Sequence, residues 1–485
     1  MTIQPYEFLE RAAANVPAGK GLLSEDQTFT FSEMDCVSRG LAERLRDFGV
    51  KPRDVVATHL PPADDWLVSL ALFHEAAVGV SLWGVGEVKE LNVAFLVSHA
   101  LHPAVPRERT IIINRGTLDN LREFQSAHPR TQYARGDKSI RHVLTSGTTG
   151  QPKVVDLTPD ALEYRLNHIG AYWTTERPEM NFMGLSTTGG FFTALTSLQH
   201  GMPFHAVERI AKATIDQIVE NQVAVLAGSP NQLGLALQVI IENDLTIPCL
   251  EGVHIGGDTP TPALLKGLHD RLGVPIHNVY GSTEGGGVTL RIFPPGDTTD
   301  PDNVGPPVEG MDIEIVDDNH TPVSRSEQGV IRYRSPGISP GYVVAPPGDE
   351  GFHLGWFYPG DYGHLTEEGS VVLSGRADDL LNFGGSKVDS ARIEEQACAF
   401  PGVVECAAFT MERRPGITEI GLAVVATPDT DLRALDQELR KALPGRHPTI
   451  FGRVDAIPRN RMGKIIRGDL RAEVARKLPK NQEPQ

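Results

Sequence analysis

An α/β protein with a β-rich insert and a small α+β unit at its C-terminal end is what the sequence predicts, and three observations carry that reading. Up to about residue 280, period-2 apolar runs alternate with period-3.6 runs, the pattern of parallel sheets covered by helices. From 300 to 376 the helical period fades, and short strands separated by Gly, Pro and Asp point to an antiparallel subdomain. After 376 the order becomes helix, two strands, helix, strand and a last helix, over about 100 residues, an ordinary domain size. The expected division is therefore 1–377, with its β-rich part at about 300–376, and 378–485.

The elements follow in order. TFTF (28–31) reads as a strand, and a helix begins at Ser32, capped in the S-x-x-D manner by Ser32 and Asp35 and stopped at Gly49. VVATHL (55–60) is a strand. The apolar run 66–86 raises a transmembrane question, but His74 and Glu75 interrupt it and Gly79 splits it, so a buried helix followed by the strand VGVSL (78–82) is expected. Next come HVLT (142–145), a helix from Thr158, VAVL (223–226), a helix from Ser229, VHI (253–255), a helix from Thr261 and IHNVY (276–280). The β-rich part holds MDIEIVDD, GVIRYRS and SVVLSG. The C-terminal unit holds SARIEEQACAF, VVECAAF, TEIGLAVVAT, DLRALDQELRKAL and FGRVDAI, then a basic loop and a helix.

Charge and cysteine usage narrow the function classes. The 45 basic and 62 acidic residues leave a net charge of -17, which argues against duplex nucleic acid as a partner. The four cysteines (Cys36, Cys249, Cys398, Cys406) include no C-x-x-C pair, so neither a disulfide framework nor a zinc site is expected. The N-terminus lacks a basic, then apolar, then small-residue signal pattern. A cytoplasmic protein without a membrane partner is the expectation.

The most informative segment is TSGTTGQPK (145–153), four hydroxyl residues, two glycines and a lysine read as lying between a strand end and a helix. Glycines let backbone N–H groups approach a polyphosphate, hydroxyls donate to it, and Lys153 adds a point charge. It is not a Walker A loop, because Pro152 separates Gly150 from Lys153 and the GK[ST] ending is missing. No G-x-S-x-G nucleophile elbow appears. Near the C-terminus, residues 459–480 carry eight basic residues against Asp469 and Glu473.

The nonapeptide resembles the phosphate loop of the adenylate-forming superfamily, which comprises acyl- and aryl-CoA synthetases, adenylation domains of non-ribosomal peptide synthetases and beetle luciferases. Further motifs follow in family order: GGD (256–258), YGSTE (280–284), GWFYPGD (355–361), GRADDLLNFGGSKVD (375–389) and NRMGK (460–464). The likeness runs from about residue 28 to the C-terminus, is weakest over 87–138, and is closest in kind to acyl- or aryl-CoA synthetases. It implies a two-part enzyme with a mobile lid. ATP activates a carboxylic acid to acyl-AMP with release of pyrophosphate, and the acyl group then passes to the thiol of CoA or of a carrier protein's phosphopantetheine. Alternatives are a stand-alone amino-acid adenylation protein and an inactive nucleotide-binding homologue.

What the resemblance implies for individual residues is specific. ATP or AMP would contact Thr145, Ser146, Gly147, Thr148, Thr149, Gly150 and Lys153 in the loop. Gly257, Asp258, Thr259, Asn278, Tyr280, Gly281 and Ser282 would line the nucleotide, with Tyr280 stacking near adenine. Thr283 would donate to the α-phosphate and Glu284 would hold Mg²⁺, a role suited to a hard carboxylate. Asp361 would accept from the ribose hydroxyls beside Arg376, and Lys387 would join the nucleotide site. Pro359 stands where relatives usually have Thr. Lys464 would reach ATP and the acyl carboxylate during adenylation. Asp378 would be the hinge about which the lid turns, exchanging Lys464 for the segment 382–387, with Gly384 and Gly385 flanking the thiol channel. The acyl pocket would be formed by Thr187, Thr188, Gly189, Gly190, Ser229, Gly256 and Gly285. Residues 180–207 contain no acidic group to pair an α-ammonium, and the glycines there and at 285–287 suggest a bulky acyl or aryl group.

Overall fold

The computed structural model describes residues 3–477 apart from 83, 85–90, 126–128, 135, 137–138, 146–152, 169–176, 346–350, 377–379, 384–385, 415–416, 444–446, 460–464 and 466. Two parallel-rich sheets take in most of the strands up to residue 293. The first has seven strands in the order Tyr342–Val344, Lys153–Leu157, Arg141–Thr145, Val78–Ser81, Val55–His59, Phe95–Ser98 and Thr110–Ile112. Its last five run parallel, and the first two close one edge antiparallel. Trp66, Leu67 and Leu70 on the helix Pro62–His74 are fully buried against this sheet's core, so the apolar run is a covering helix and the following strand. No described helix is long and apolar enough to cross a membrane.

The second sheet orders Gly286–Phe293, Ile276–Ser282, Gly252–Gly256, Val225–Gly228 and Glu179–Asn181, all parallel except the first pair. Helices Pro230–Glu242 and Pro262–Leu272 begin at Ser229 and Thr261, as the sequence predicts, because each cap hydroxyl accepts a backbone N–H of the first turn. The third sheet is antiparallel throughout and contains Asp312–Val316, Gly329–Arg334, Asp361–Leu365 and Val371–Arg376. Beyond it, Val403–Arg414, Ile417–Ala426 and Ile450–Arg453 form a three-stranded sheet with a core on each face. Period-2 alternation divides them: Cys406 and Ala408 pack with Ile393, Leu435 and Leu439, whereas Ala407 and Phe409 pack with Leu470 and Val474.

Two local expectations are corrected. The first long helix is Phe31–Asp47, and its cap is Thr30 rather than Ser32: Thr30 Oγ1 accepts from Glu33 N at 3.2 Å while Glu33 Oε2 accepts from Thr30 N at 2.8 Å. A reciprocal box with a Glu satisfies two donors and outcompetes the S-x-x-D alternative. The segment 145–153 does not run from a strand into a helix. It joins two antiparallel strands, Arg141–Thr145 and Lys153–Leu157, and the helix Pro159–His168 comes only afterwards. Pro152 favours an extended residue before it, and the β-branched Val154 and Val155 prolong that strand.

Of the buried histidines among the described residues, four (His74, His142, His205, His254) have pKa values that burial lowers to about 3, 4, 4 and 3. The unfolded chain binds their protons near pH 6.5, so their contribution to stability is complete above that pH and is lost as pH falls towards 4. Each costs up to about 1.4 kcal/mol per pH unit in that window. The carboxyls of Glu10 and Asp65, raised by burial, act in the opposite sense. The melting temperature is expected to fall between pH 7 and pH 5. A melting temperature that stays flat or rises would contradict this balance.

Candidate functional site

The site is built where the strand Ile276–Ser282 ends and turns into Gly286–Phe293. Three strands of the second sheet run parallel to Ile276–Ser282, and the carboxyl edge of such a sheet is where α/β folds place ligands. Along this strand Asn278 is buried opposite Ile255, and Tyr280 is half-buried. The Tyr280 hydroxyl donates to Asp361 Oδ2 at 2.6 Å, so the two residues expected around adenine and ribose touch. Asp361 also faces Arg376 across the antiparallel pair, which sets their backbones side by side.

The turn at Thr283 and Glu284 is fixed from below by a residue the sequence reading did not single out. Arg165, on the helix Pro159–His168, is fully buried, and its guanidinium donates to Gly337 O at 2.6 Å, to Thr283 O at 3.1 Å and to Glu284 O. Burial lowers its pKa to about 10, which still leaves it charged at neutral pH. Ser339 N donates to Glu284 O at 2.8 Å. Tyr342 O–H donates to Glu284 Oε1 at 2.8 Å, and the Tyr342 ring lies 5.1 Å from the Lys153 ammonium. Tyr342 thus links the turn to the loop: its strand pairs with Lys153–Leu157, setting Tyr342 opposite Val155. A signal for Arg165 was present, since it falls on the buried helical face with Ala161, Leu162 and Leu166.

Ser282 is held by the fully buried Tyr333, whose hydroxyl donates to Ser282 Oγ at 2.9 Å and is kept protonated well above the usual range by burial. Gly281 lies within the strand. The strand Gly252–Gly256 carries Gly256 at its end, followed by Gly257 and the exposed Asp258, whose Oδ1 accepts from Thr259 N. Thr145 and Lys153 pair across the base of the phosphate-loop segment. Ser146, Gly147, Thr148, Thr149 and Gly150 lie outside the described residues, as do Asp378, Gly384, Gly385 and Lys464. Lys387 is on the strand Ser386–Asp389.

Thr187 caps the helix Thr188–Gln199 by accepting from Gly190 N at 3.1 Å, and Thr188 and Gly189 form its first turn. Arg141, also fully buried, donates to Ser81 Oγ at 2.6 Å and to Leu185 O at 2.7 Å, tying this segment to the strand that leads into residues 146–152. Ser229 is occupied as a helix cap. Two of the glycines expected to widen a pocket are instead required by close packing. A Cβ on Gly190 would strike the Met183 and Gly184 carbonyls, and one on Gly285 would meet the Tyr333 ring, so close packing already requires both glycines.

A family model described as AMP-binding enzyme matches residues 88–343, more than half of the chain. The chain is 25% identical over 507 residues to a plipastatin synthase polypeptide of Bacillus subtilis, covering 96% of this chain but only 13% of that protein. It is 26% identical to 2-succinylbenzoate--CoA ligase of Bacillus velezensis, covering 96% of this chain and 97% of the relative. The solved o-succinylbenzoate CoA synthetase from Bacillus subtilis, in complex with the acyl-adenylate intermediate OSB-AMP, has the same fold. The TM-score is 0.83 at 22% identity, over 96% of this chain and 97% of that one. The chain belongs to the AMP-binding enzyme family, as an enzyme of the acyl-CoA synthetase type.

Proposed function

We propose that this enzyme activates a non-amino carboxylic acid with ATP, releasing pyrophosphate, and transfers the acyl group from acyl-AMP to the thiol of CoA. The observation that carries the reading is the convergence at one strand end of the Tyr280–Asp361 pair with the Glu284–Tyr342–Lys153 cluster. The first suits a nucleoside, because a carboxylate can accept from ribose hydroxyls while an aromatic ring covers the base. The second suits a polyphosphate, offering a lysine and a carboxylate able to take a hard cation.

Mg²⁺ fits the donor set. It is held through one or two carboxylates plus substrate phosphates and keeps several waters. Among the described residues no cluster of three His, Cys, Asp or Glu forms a protein-only cage, and Glu284 supplies the single carboxylate such a site needs. Bound there with ATP, Mg²⁺ would offset phosphate charge. In this reading Thr145, Lys153 and the loop between them hold the phosphates, Thr283 donates to the α-phosphate, and Lys464 stabilises the charge that develops as the acyl oxygen attacks the α-phosphorus and pyrophosphate leaves. Asp378 is the proposed boundary and hinge, and Gly384 and Gly385 the proposed thiol path. CoA is the favoured acceptor because the relative matched over 97% of its length is named a CoA ligase.

The acyl group is proposed to be an aryl or medium-to-large acyl group. The 2-succinylbenzoate ligase is named for an aryl acid. The buried acid Glu179, just before that segment, already accepts from Thr193 Oγ1 at 3.0 Å, with His254 Nδ1 at 3.8 Å, so it is engaged on the sheet rather than at the strand end. Incubation with ATP, Mg²⁺, CoA and a panel of acids tests the proposal: acyl-CoA and AMP are expected to form in equal amounts with an aryl acid. ADP instead of AMP, or a thioester formed without nucleotide consumption, would refute it.

Tyr342 gives a finer check. Tyr342→Phe keeps the ring beside Lys153 and removes the donor to Glu284. A hydrogen bond to a charged group contributes about 1.5–3 kcal/mol, so the Mg²⁺ concentration for half-maximal adenylation is expected to rise about tenfold. The melting temperature should move little. An unchanged Mg²⁺ dependence would remove Tyr342 from this role.

A further inference from the structure

Two cysteines that look scattered along the sequence meet in the fold. The helix Ser390–Cys398 ends on Cys398, and the strand Val403–Arg414 returns beside it, with Cys406 on the face that packs against Ile393 and Ala397 of that helix. The two Sγ atoms are 3.2 Å apart, and both thiols are free. Cys398 is exposed, whereas Cys406 is buried, with its sulfur also 3.3 Å from Glu394 O. One sulfur is therefore open to a small solute, and the other waits behind it in the protein.

Acidity separates Cys398 from the other three thiols. A hydrogen bond from Cys406 lowers the Cys398 pKa to about 7, against partial burial and the nearby Glu394 and Glu405 carboxylates. The same contact, together with burial, raises that of Cys406. Burial also raises Cys36 and Cys249. At neutral pH the reactive thiolate is concentrated on Cys398, and a thiolate rather than a thiol is the nucleophile.

We propose that Cys398 and Cys406 form a peroxide-reactive dithiol, with Cys398 as the attacking sulfur and Cys406 as the resolving one. The Cys398 thiolate attacks one peroxide oxygen, the O–O bond breaks, and the departing hydroxide takes a proton to leave as water, giving a sulfenic acid. Cys406 sulfur then attacks the sulfenic sulfur, the S–O bond breaks, and the hydroxide released takes the Cys406 proton and leaves as a second water. The dithiol loses two electrons and two protons, and hydrogen peroxide is reduced to two waters. The product, an intramolecular disulfide, fastens the end of the helix to the adjacent strand and is reversed by an added dithiol.

Full-length reduced protein treated with hydrogen peroxide at pH 7, followed by intact mass and peptide mapping, is the test. The expected product has lost two hydrogens, maps to Cys398 joined to Cys406, and returns to the starting mass with dithiothreitol. Before oxidation, iodoacetamide should label Cys398 at least about tenfold faster than Cys36 or Cys249. Cys406→Ser should stop at a sulfenic acid on Cys398 that dimedone traps. Because the labelling ratio and the mapped bond are read in the unaltered protein, misfolding of that variant would not shield the proposal. Equal labelling of the four cysteines, over-oxidation of Cys398 without a disulfide, or a bond to Cys36 or Cys249 would overturn it.

Discussion

Replacing Arg165 with methionine is expected to lower adenylation by about a hundredfold and the melting temperature by several degrees. The guanidinium satisfies the carbonyls of Gly337, Thr283 and Glu284 at once, and methionine fills a similar volume without a donor. Ser339 N still donates to Glu284 O, but each buried acceptor left unpaired costs about 1–3 kcal/mol, so losing the donor to Gly337 O and Thr283 O is enough to move a turn on which Thr283 and Glu284 depend. Arg165→Lys should recover part of the stability and less of the activity, since one ammonium cannot serve three carbonyls set around a planar fork. Thermal melts beside adenylation rates check this. A folded Arg165→Met protein with unaltered adenylation would show that the turn does not need its anchor.

Lys464→Ala is expected to cost adenylation about a hundredfold or more, because the lysine is proposed to offset charge that exists only in the transition state. The second half-reaction should survive. Supplied with a preformed acyl-adenylate, the variant should make thioester at close to the unaltered rate, since the lid is proposed to have turned Lys464 away by then. Equal loss of both halves, in a variant that melts normally, would contradict a role confined to adenylation.

The residues proposed to touch a nucleotide stand out in the sequence as motifs shared with the resembled family: a hydroxyl- and glycine-rich loop, YGSTE, and a Gly-Asp after aromatic residues. The alternation of periods likewise gave the parallel sheets, because a buried strand and a covering helix repeat differently. What was not legible came from contacts between distant segments. Arg165 shares a helical face with Ala161, Leu162 and Leu166, but what it binds emerges only when the fold sets it under a turn more than a hundred positions away. Tyr342 gains its meaning only when its strand pairs with Lys153–Leu157. Gly190 and Gly285 looked like space for a ligand and are instead points where carbonyls and an aromatic ring come too close for any side chain. Cys398 and Cys406 lack a spacing motif because a helix end and a returning strand, not local sequence, bring them together.

Carboxylate-dependent exchange of labelled pyrophosphate into ATP is the most direct test of the central claim, since it reports acyl-AMP formation with no thiol present. Acids are offered singly with Mg²⁺, from acetate through aryl and medium-chain acids to the proteinogenic amino acids. The account predicts exchange with one or more non-amino acids larger than butyrate, in the absence of CoA, and little with any amino acid. Exchange confined to an α-amino acid or to acetate, or no exchange with any acid offered, would contradict it.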